Sequence, residues 1–220
     1  MALPRFHVIV LPFLFMIIFS ALASDPDPVQ DFCIRTDPST SAAKLMHPSC
    51  KNVSNVSVED FIYGGIKSRG NFDRETGLAA KSVNVDTFPA LNTLGMSFVR
   101  ADLEVGGINV PHYHPRATEV AYVMEGKVYS GFVDTESRVF ARVIEQGEVM
   151  VFPKGLLHFQ MNIGDEPAAI LGMFNGQNPG LMKLPRAIFG SGIKEELLEK
   201  SFGLNRKEID KLKRMFGPNN

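Results

Sequence analysis

The sequence has no tryptophan and only two cysteines, and its charge is nearly balanced, with 23 Lys and Arg residues against 24 Asp and Glu residues. A chain without a basic excess lacks the electrostatic footprint of nucleic-acid-binding proteins, so we expect no nucleic-acid partner. Hydrophobic residues make up 45% of the chain, which excludes an intrinsically disordered protein. At 220 residues, the chain is long enough for one well-cored domain.

Long apolar runs are also scarce, and the clearest one lies near the N-terminus. Residues 8–19 form this run, which follows the positively charged Arg5 and precedes Ala21-Leu22-Ala23, a small-x-small cleavage pattern. These are the parts of a secretory signal peptide, so we expect residues 1–23 to be removed and the mature chain to begin at Ser24. The run is too short for a comfortable membrane-spanning helix. We therefore expect a secreted protein with no membrane contact after cleavage.

The two cysteines, Cys33 and Cys50, fit an oxidising compartment. A disulfide between them would close a loop of 18 residues and stabilise the fold by about 3 kcal/mol. Free thiols and soft metal ligands are the alternatives. Just beyond the cysteines, Asn52 and Asn55 each begin an Asn-Val-Ser glycosylation sequon. Because the sequons lie only three residues apart, two glycans would compete for space, and we expect at least one site to be used.

Short β-branched and aromatic segments alternate with turn residues between positions 82 and 174, as in a β-sandwich or barrel. The clearest predicted strands are residues 119–124, 127–132, 139–144, 148–152, 157–162 and 168–174. Before them, residues 56–63 are predicted to pair with a sheet edge, and residues 64–81 to form a loop. After them the period changes to that of amphipathic helices, predicted at residues 194–202 and 206–216. Asn205 and Glu208 form a predicted capping box for the second helix.

Three of the five histidines lie in two strand-like segments punctuated by glycine and proline. His112 and His114 are two positions apart, and alternate residues of a β-strand point to the same face. Glu119 follows after a predicted turn, and His158 comes from a later strand. Together the four side chains offer three imidazoles and one carboxylate, which predicts a metal site.

Several divalent ions suit such a donor set. Imidazole binds Zn, Cu, Fe and Ni, whereas carboxylate and water suit Mn and Mg. Four protein ligands would close a tetrahedral zinc site, but they would leave two positions open on an octahedral ion. The alternative without a metal is a pair of surface or core histidines, and the presence of Glu119 and His158 makes that alternative the weaker one.

The same residues match a known family. Residues 106–126 fit the first cupin motif, G-x5-H-x-H-x4-E-x6-G, and residues 147–162 fit the second, G-x5-P-x-G-x2-H-x3-N, with every fixed position filled. The sequences inside the motifs, PHYHPRATE and FPKGLLHFQMN, resemble those of plant germins and germin-like proteins. Three further segments share this resemblance: DPDPVQDFC, FPALNTLGMSFVRADLEVGG and NGQNPG. The resemblance extends from Ser24 to the C-terminus.

This resemblance implies an all-β fold, a single cupin (jelly-roll type) β-barrel with C-terminal α-helices. We expect residues 24–81 to form an N-terminal arm and loop pinned by the disulfide, residues 82–190 the barrel, and residues 191–220 a helical oligomerisation segment. The resemblance also implies a homohexamer, built as a trimer of dimers, and an extracellular location in the apoplast in association with the cell wall.

The resemblance further implies a manganese site and a disulfide. The implied manganese ligands are His112, His114, Glu119 and His158. The implied disulfide joins Cys33 to Cys50.

Two activities follow from the resemblance, since germins are manganese oxalate oxidases and many germin-like proteins are reported as superoxide dismutases. In the oxalate-oxidising germins two asparagines assist the substrate site. One falls at Asn109, but the other falls where this chain has Val99, which has no amide group. We therefore expect superoxide dismutation rather than oxalate oxidation, with a role in defence or stress. A non-catalytic cell-wall or receptor-binding module, stabilised by its metal, is the alternative.

Overall fold

The computed structural model describes residues 30–36 and 50–217. The expected signal peptide, residues 1–23, lies outside the described residues, as do residues 24–29, 37–49 and 218–220. The strands of the described chain are β1 (Leu78–Val83), β2 (Ser97–Leu103), β3 (Ile108–Tyr113), β4 (Glu119–Glu125), β5 (Lys127–Val133), β6 (Val139–Glu145), β7 (Val149–Phe152), β8 (Leu157–Asn162), β9 (Ala168–Phe174) and β10 (Met182–Lys183). The helices are α1 (Leu184–Phe189), α2 (Glu195–Phe202) and α3 (Arg206–Phe216).

The strands form two five-stranded antiparallel sheets. One sheet has the order β1-β2-β9-β4-β7 and the other the order β10-β3-β8-β5-β6. From β2 onward the chain crosses from one sheet to the other at every connection except that between β5 and β6, as in a jelly roll. The structure therefore confirms the predicted all-β fold with C-terminal helices.

The core lies between the two sheets, where alternate side chains of each strand point inward. Leu103, Val123 and Phe152 are fully buried there and belong to one apolar cluster. The same alternation buries Glu119 at the start of β4 and His158 near the start of β8. The polar candidate residues thus lie within the barrel.

Most of the predicted elements are present. All six strands predicted between residues 119 and 174 are found, and no boundary differs by more than one residue. Of the two predicted helices, α3 has the predicted bounds and α2 begins one residue after Lys194. Asn205 accepts a hydrogen bond from the Glu208 N–H, and the Glu208 side chain accepts one from the Asn205 N–H, so the capping box is confirmed.

Two local predictions are wrong, and one short helix is additional. Residues 56–63 contain a 3-10 turn, Val58–Phe61, instead of a strand, because a capping box between Ser57 and Asp60 satisfies the backbone locally. β1 begins inside the predicted loop and pairs with β2 along its whole length, so the sheet starts before residue 82. The short helix α1 was not predicted, and it begins where Pro185 fits the first helical turn.

The disulfide between Cys33 and Cys50 is present. A bridge between Arg35 and Cys50 continues the pairing beside it. The Asn92 amide donates a hydrogen bond of 3.0 Å to the carbonyl oxygen of Cys33, which ties the arm to the barrel.

Across residues 30–36 and 50–217, none of the helices has the length and apolarity that crossing a lipid bilayer requires.

Candidate metal centre

Two strands of one sheet place His112 and His158 side by side. β3 and β8 are neighbours, and the two histidines lie directly opposite each other in their register. Opposed residues of an antiparallel pair point to the same face, and both rings are buried inside the barrel. The pairing is irregular between Asn109 and His112, where Pro111 has no N–H to donate to the ladder.

His114 and Glu119 complete the cluster. His114 directly follows β3, and a short connection leads to Glu119, the first residue of β4 in the opposite sheet. The Oε2 atom of Glu119 is 3.1 Å from Nε2 of His114 and 3.1 Å from Nε2 of His158. One potential ligand atom from each of the four side chains lies within 4.8 Å of the others, and all four side chains are buried. The structure therefore brings together the four residues predicted to bind the metal, which we call the His3Glu cluster.

Backbone carbonyl groups fix the orientation of all three imidazoles through their Nδ1 atoms. The pairs are His112 with Val110 (2.8 Å), His158 with Leu156 (2.8 Å) and His114 with Gly180. Because a carbonyl oxygen only accepts hydrogen bonds, each Nδ1 carries a proton, and Nε2 of the neutral ring keeps its lone pair. Three Nε2 lone pairs and one carboxylate converge in a buried space, and this donor set fits a divalent metal ion.

The protonation states of the cluster also favour a cation. Burial, and then the neighbouring His158 ring, lowers the pKa of His112 to about 3, so the His112 ring is neutral at physiological pH. Burial alone would raise the pKa of Glu119, but its close contact with the His114 and His158 rings outweighs burial and lowers the pKa to about 2. Neutral imidazole and ionised carboxylate are the forms that bind metals.

A cavity of about 260 Å³ adjoins the His3Glu cluster. Its wall includes Asn109, whose amide nitrogen donates to Oε1 of Gln160 at 2.8 Å. Asn109, predicted as a residue near the site, therefore lies at the cavity, with its amide donor engaged by a neighbouring side chain. The cavity is smaller than the pockets that hold drug-sized ligands, so it suits a small substrate.

Val99 lies in the same cavity wall, beside the carboxylate of the cluster. A Cβ atom placed on Gly172 would lie 2.6 Å from Oε1 of Glu119 and 2.7 Å from Cγ1 of Val99. The lack of a side chain at Gly172 thus leaves room for both groups. An apolar methyl group consequently lies close to the charged end of the cavity.

The other fixed residues of the two motifs shape the barrel. Asn162 is fully buried, and its amide nitrogen donates to three carbonyl oxygens while its Oδ1 accepts from the Gly164 N–H. Gly126 has a φ of 77°, and a Cβ there would lie 2.9 Å from that of Ala168. These residues hold connections between strands, a role distinct from that of the four predicted metal ligands.

Sequence reasoning missed two aromatic neighbours of the cluster. Phe152 stacks on His158, with ring centroids 4.4 Å apart and an interplanar angle of 9°. Phe174 contacts His114, with centroids 4.5 Å apart. Strand alternation predicts that such residues point inward, but it does not predict which histidine each one meets.

The predicted glycosylation sites are both at the surface. Asn52 and Asn55 are exposed. The Asn52 side chain accepts hydrogen bonds from the N–H and hydroxyl groups of Ser54, the last residue of its own sequon. Glycosylation at either site stays a prediction.

Comparisons with known proteins agree with this geometry. A family model described as cupin matches residues 65–210. Germin-like protein subfamily 3 member 2 of Arabidopsis thaliana is 59% identical over 201 residues, which cover 90% of this chain and 88% of that protein. Germin-like protein 2-4 of Oryza sativa subsp. japonica is 52% identical over 203 residues, with coverage of 90% and 88%. A recombinant oxalate oxidase solved in complex with glycolate has a TM-score of 0.84 and 36% identity, and the match covers 90% of this chain and 100% of that one.

Proposed function

Since this chain belongs to the germin-like proteins of the cupin family, we propose that it is a secreted manganese protein of the plant cell wall that dismutates superoxide. The observation that carries the proposal is the His3Glu cluster, in which four buried ligand atoms lie within 4.8 Å of one another at the end of a small cavity. A cluster of three imidazoles and one carboxylate, next to a space for a small molecule, is suited to a metal-dependent reaction.

The roles of the chain's own residues follow from the geometry. The three Nε2 atoms and the carboxylate of Glu119 would hold the ion, while the backbone carbonyls keep each Nδ1 protonated and each ring in place. Bound manganese would supply the one-electron oxidation and reduction that dismutation of superoxide to dioxygen and hydrogen peroxide requires. Because a zinc ion has no redox chemistry, the proposed reaction favours manganese over zinc at this site.

Oxalate is the competing substrate, because the protein has structural similarity to an oxalate oxidase. Oxalate is a dianion that needs hydrogen-bond donors around its carboxylates. Val99 presents a methyl group at the cavity wall beside Glu119, and a buried anion oxygen without a partner costs about 1–3 kcal/mol. Superoxide is a smaller monoanion with fewer oxygen atoms to be satisfied, so the cavity favours it.

Secretion, glycosylation and assembly belong to the same proposal. The disulfide between Cys33 and Cys50 and the exposed sequon residues Asn52 and Asn55 support an oxidising, extracellular location. The exposed apolar side chains of Leu197, Phe202 and Met215 on α2 and α3 support contacts with neighbouring subunits, as in the proposed homohexamer.

The test is superoxide dismutation per bound manganese, measured on secreted protein whose metals are quantified. The His158→Ala variant removes one proposed ligand and serves as the blank. We expect activity that scales with manganese content and is absent from the variant. If the protein binds manganese but does not dismutate superoxide, oxalate oxidation is assayed next. If neither activity is found, the non-catalytic binding module is favoured. Full activity in His158→Ala would contradict the proposed site.

A further inference from the structure

One cationic residue lines the cavity beside the His3Glu cluster. Among the residues that the structure describes, Lys183 is the only Lys or Arg in this wall. β10 pairs with β3 so that Lys183 lies directly opposite His112. Directly opposed residues share a face of the sheet, so the lysine lies on the face that carries the His112 ring.

The neighbouring pair supports this orientation. Met182 lies opposite Tyr113, and the Tyr113 hydroxyl donates a hydrogen bond to the sulfur atom of Met182. Met182 is exposed, so this pair occupies the outer face of the sheet. Since successive residues of a strand point to opposite faces, Lys183 and His112 are directed inward.

Lys183 also lies where the cavity meets the surface. Leu78, Ala80 and Lys183 line both the inner cavity and a second, outer depression of about 690 Å³. β1 and β10 are the end strands of their sheets, so the opening lies between two sheet edges. A molecule entering between these edges passes Lys183 before it reaches the cluster.

The charge of Lys183 is not cancelled by a direct ion pair with any carboxylate in residues 30–36 and 50–217. Asp73 lies in the outer depression and interacts with Lys183 through space, without a direct ion pair. Its Oδ1 atom accepts three hydrogen bonds, two from Thr76 and one from the Glu75 N–H. Glu119, the carboxylate inside the cavity, is engaged by the histidines. The ammonium group is therefore available to an anion.

We propose that Lys183 recruits small anions to the cavity and holds them beside the His3Glu cluster. A single charge in a cleft with low-dielectric walls raises the local concentration of the opposite charge. The inference rests on the proposed function, because superoxide is one such anion, and it identifies negative charge as the property by which the cavity selects its substrate.

Azide, a small monoanion, is the probe that tests this proposal. Its binding to the manganese-loaded protein is measured by calorimetry for the wild type and for Lys183→Met, Lys183→Arg and Lys127→Met. Lys127 is an exposed lysine on β5 of the same sheet that does not line the cavity, so its replacement is the matched control. We expect azide affinity to fall about fivefold in Lys183→Met, and to be retained in Lys183→Arg and Lys127→Met.

Ionic strength provides an independent readout. Because salt screens exposed charges with a Debye length of about 10 Å at 0.1 M, azide affinity should decrease with added sodium perchlorate in the wild type and change less in Lys183→Met. A second neutral variant, Lys183→Gln, replaces Lys183→Met if the latter alters manganese content.

The outcomes separate this inference from the proposed function. Equal azide affinity and equal salt dependence in wild type and neutral variants would overturn the role of Lys183, and so would an absence of azide binding to the manganese-loaded wild type. If azide binding follows the charge at position 183 but superoxide is not dismutated, the anion site stands and the proposed activity fails.

Discussion

His158 lies between His112 and Phe152, with ring centroids 4.2 Å from the first and 4.4 Å from the second. The imidazole is parallel to the Phe152 ring within 9°, and its Nδ1–H is held by the Leu156 carbonyl oxygen. Its plane and its proton are thus both fixed by groups that are not ligands. Such preorganisation lowers the cost of assembling a metal site.

The stacking contact predicts an effect of Phe152 on metal affinity. We expect Phe152→Leu to weaken manganese binding about tenfold, because the His158 ring can reorient once the stacked phenyl ring is lost. The measurement is the manganese dissociation constant at a temperature where circular dichroism shows a folded chain. Val151→Ala is the control, since Val151 is the exposed neighbour on β7. An unchanged dissociation constant in Phe152→Leu would assign the orientation of His158 to its hydrogen bond alone.

Removal of the metal is expected to destabilise the barrel. The cluster joins β3 and β8 of one sheet to β4 of the other, so an ion bound only by the folded state stabilises it by about 2.7 kcal/mol at a concentration of 100 times its dissociation constant. Thermal unfolding with chelator, and again after manganese is restored, measures this difference. His158→Ala should show almost none of it, whereas an equal shift in that variant would place the stabilising ion elsewhere.

The stability of the metal-depleted protein should fall as the pH falls below about 6.5. The pKa of His112 is about 3 in the folded chain against an ordinary value of 6.5, so between these values the unfolded chain binds the extra proton. The pKa of Glu119 is lowered to about 2 from 4.5, so its contribution is present above 4.5 and is lost as the pH falls towards 2. Each effect makes the free energy of unfolding decrease by up to about 1.4 kcal/mol per pH unit.

Denaturant unfolding at pH 7, 5.5 and 4 measures this dependence. The His112→Asn variant lacks the first group, so its free energy of unfolding should change less between pH 7 and 5.5 than that of the wild type. If the two curves are parallel over this range, the buried His112 ring does not control acid stability.

The His3Glu cluster could be predicted from the sequence because three of its four ligands lie close together along the chain. The i, i+2 spacing of His112 and His114, together with the turn before Glu119, determines which residues can converge, and the strand periods determine which face they occupy. The strands between residues 119 and 174 were predictable for the same reason, since alternating side chains and turn residues mark each one.

The residues that complete the cavity were not predictable, because they depend on pairing between distant segments. Lys183 meets His112 only because the two-residue strand β10 pairs with β3, and so short a segment has no detectable period. β1 was missed because its residues, LAAKSV, include few β-branched side chains, and its stability comes from its partner β2. The turn at Val58–Phe61 shows the reverse case, where local capping prevails over β propensity.

Val99 provides the most direct test of substrate choice, because it lines the cavity beside Glu119. We expect Val99→Asn to increase oxalate affinity about tenfold, since an amide replaces a methyl group next to the bound carboxylate and one added hydrogen bond is worth on the order of 1 kcal/mol. Calorimetric oxalate binding and peroxide release from oxalate are the measurements, and Val99→Leu is the apolar control. A gain of oxalate binding in Val99→Leu as well would show that shape, and not hydrogen bonding, sets the preference. No gain in Val99→Asn would mean that the methyl group at position 99 is not what disfavours oxalate, and that the amide of Asn109, held by Gln160, is the next group to examine.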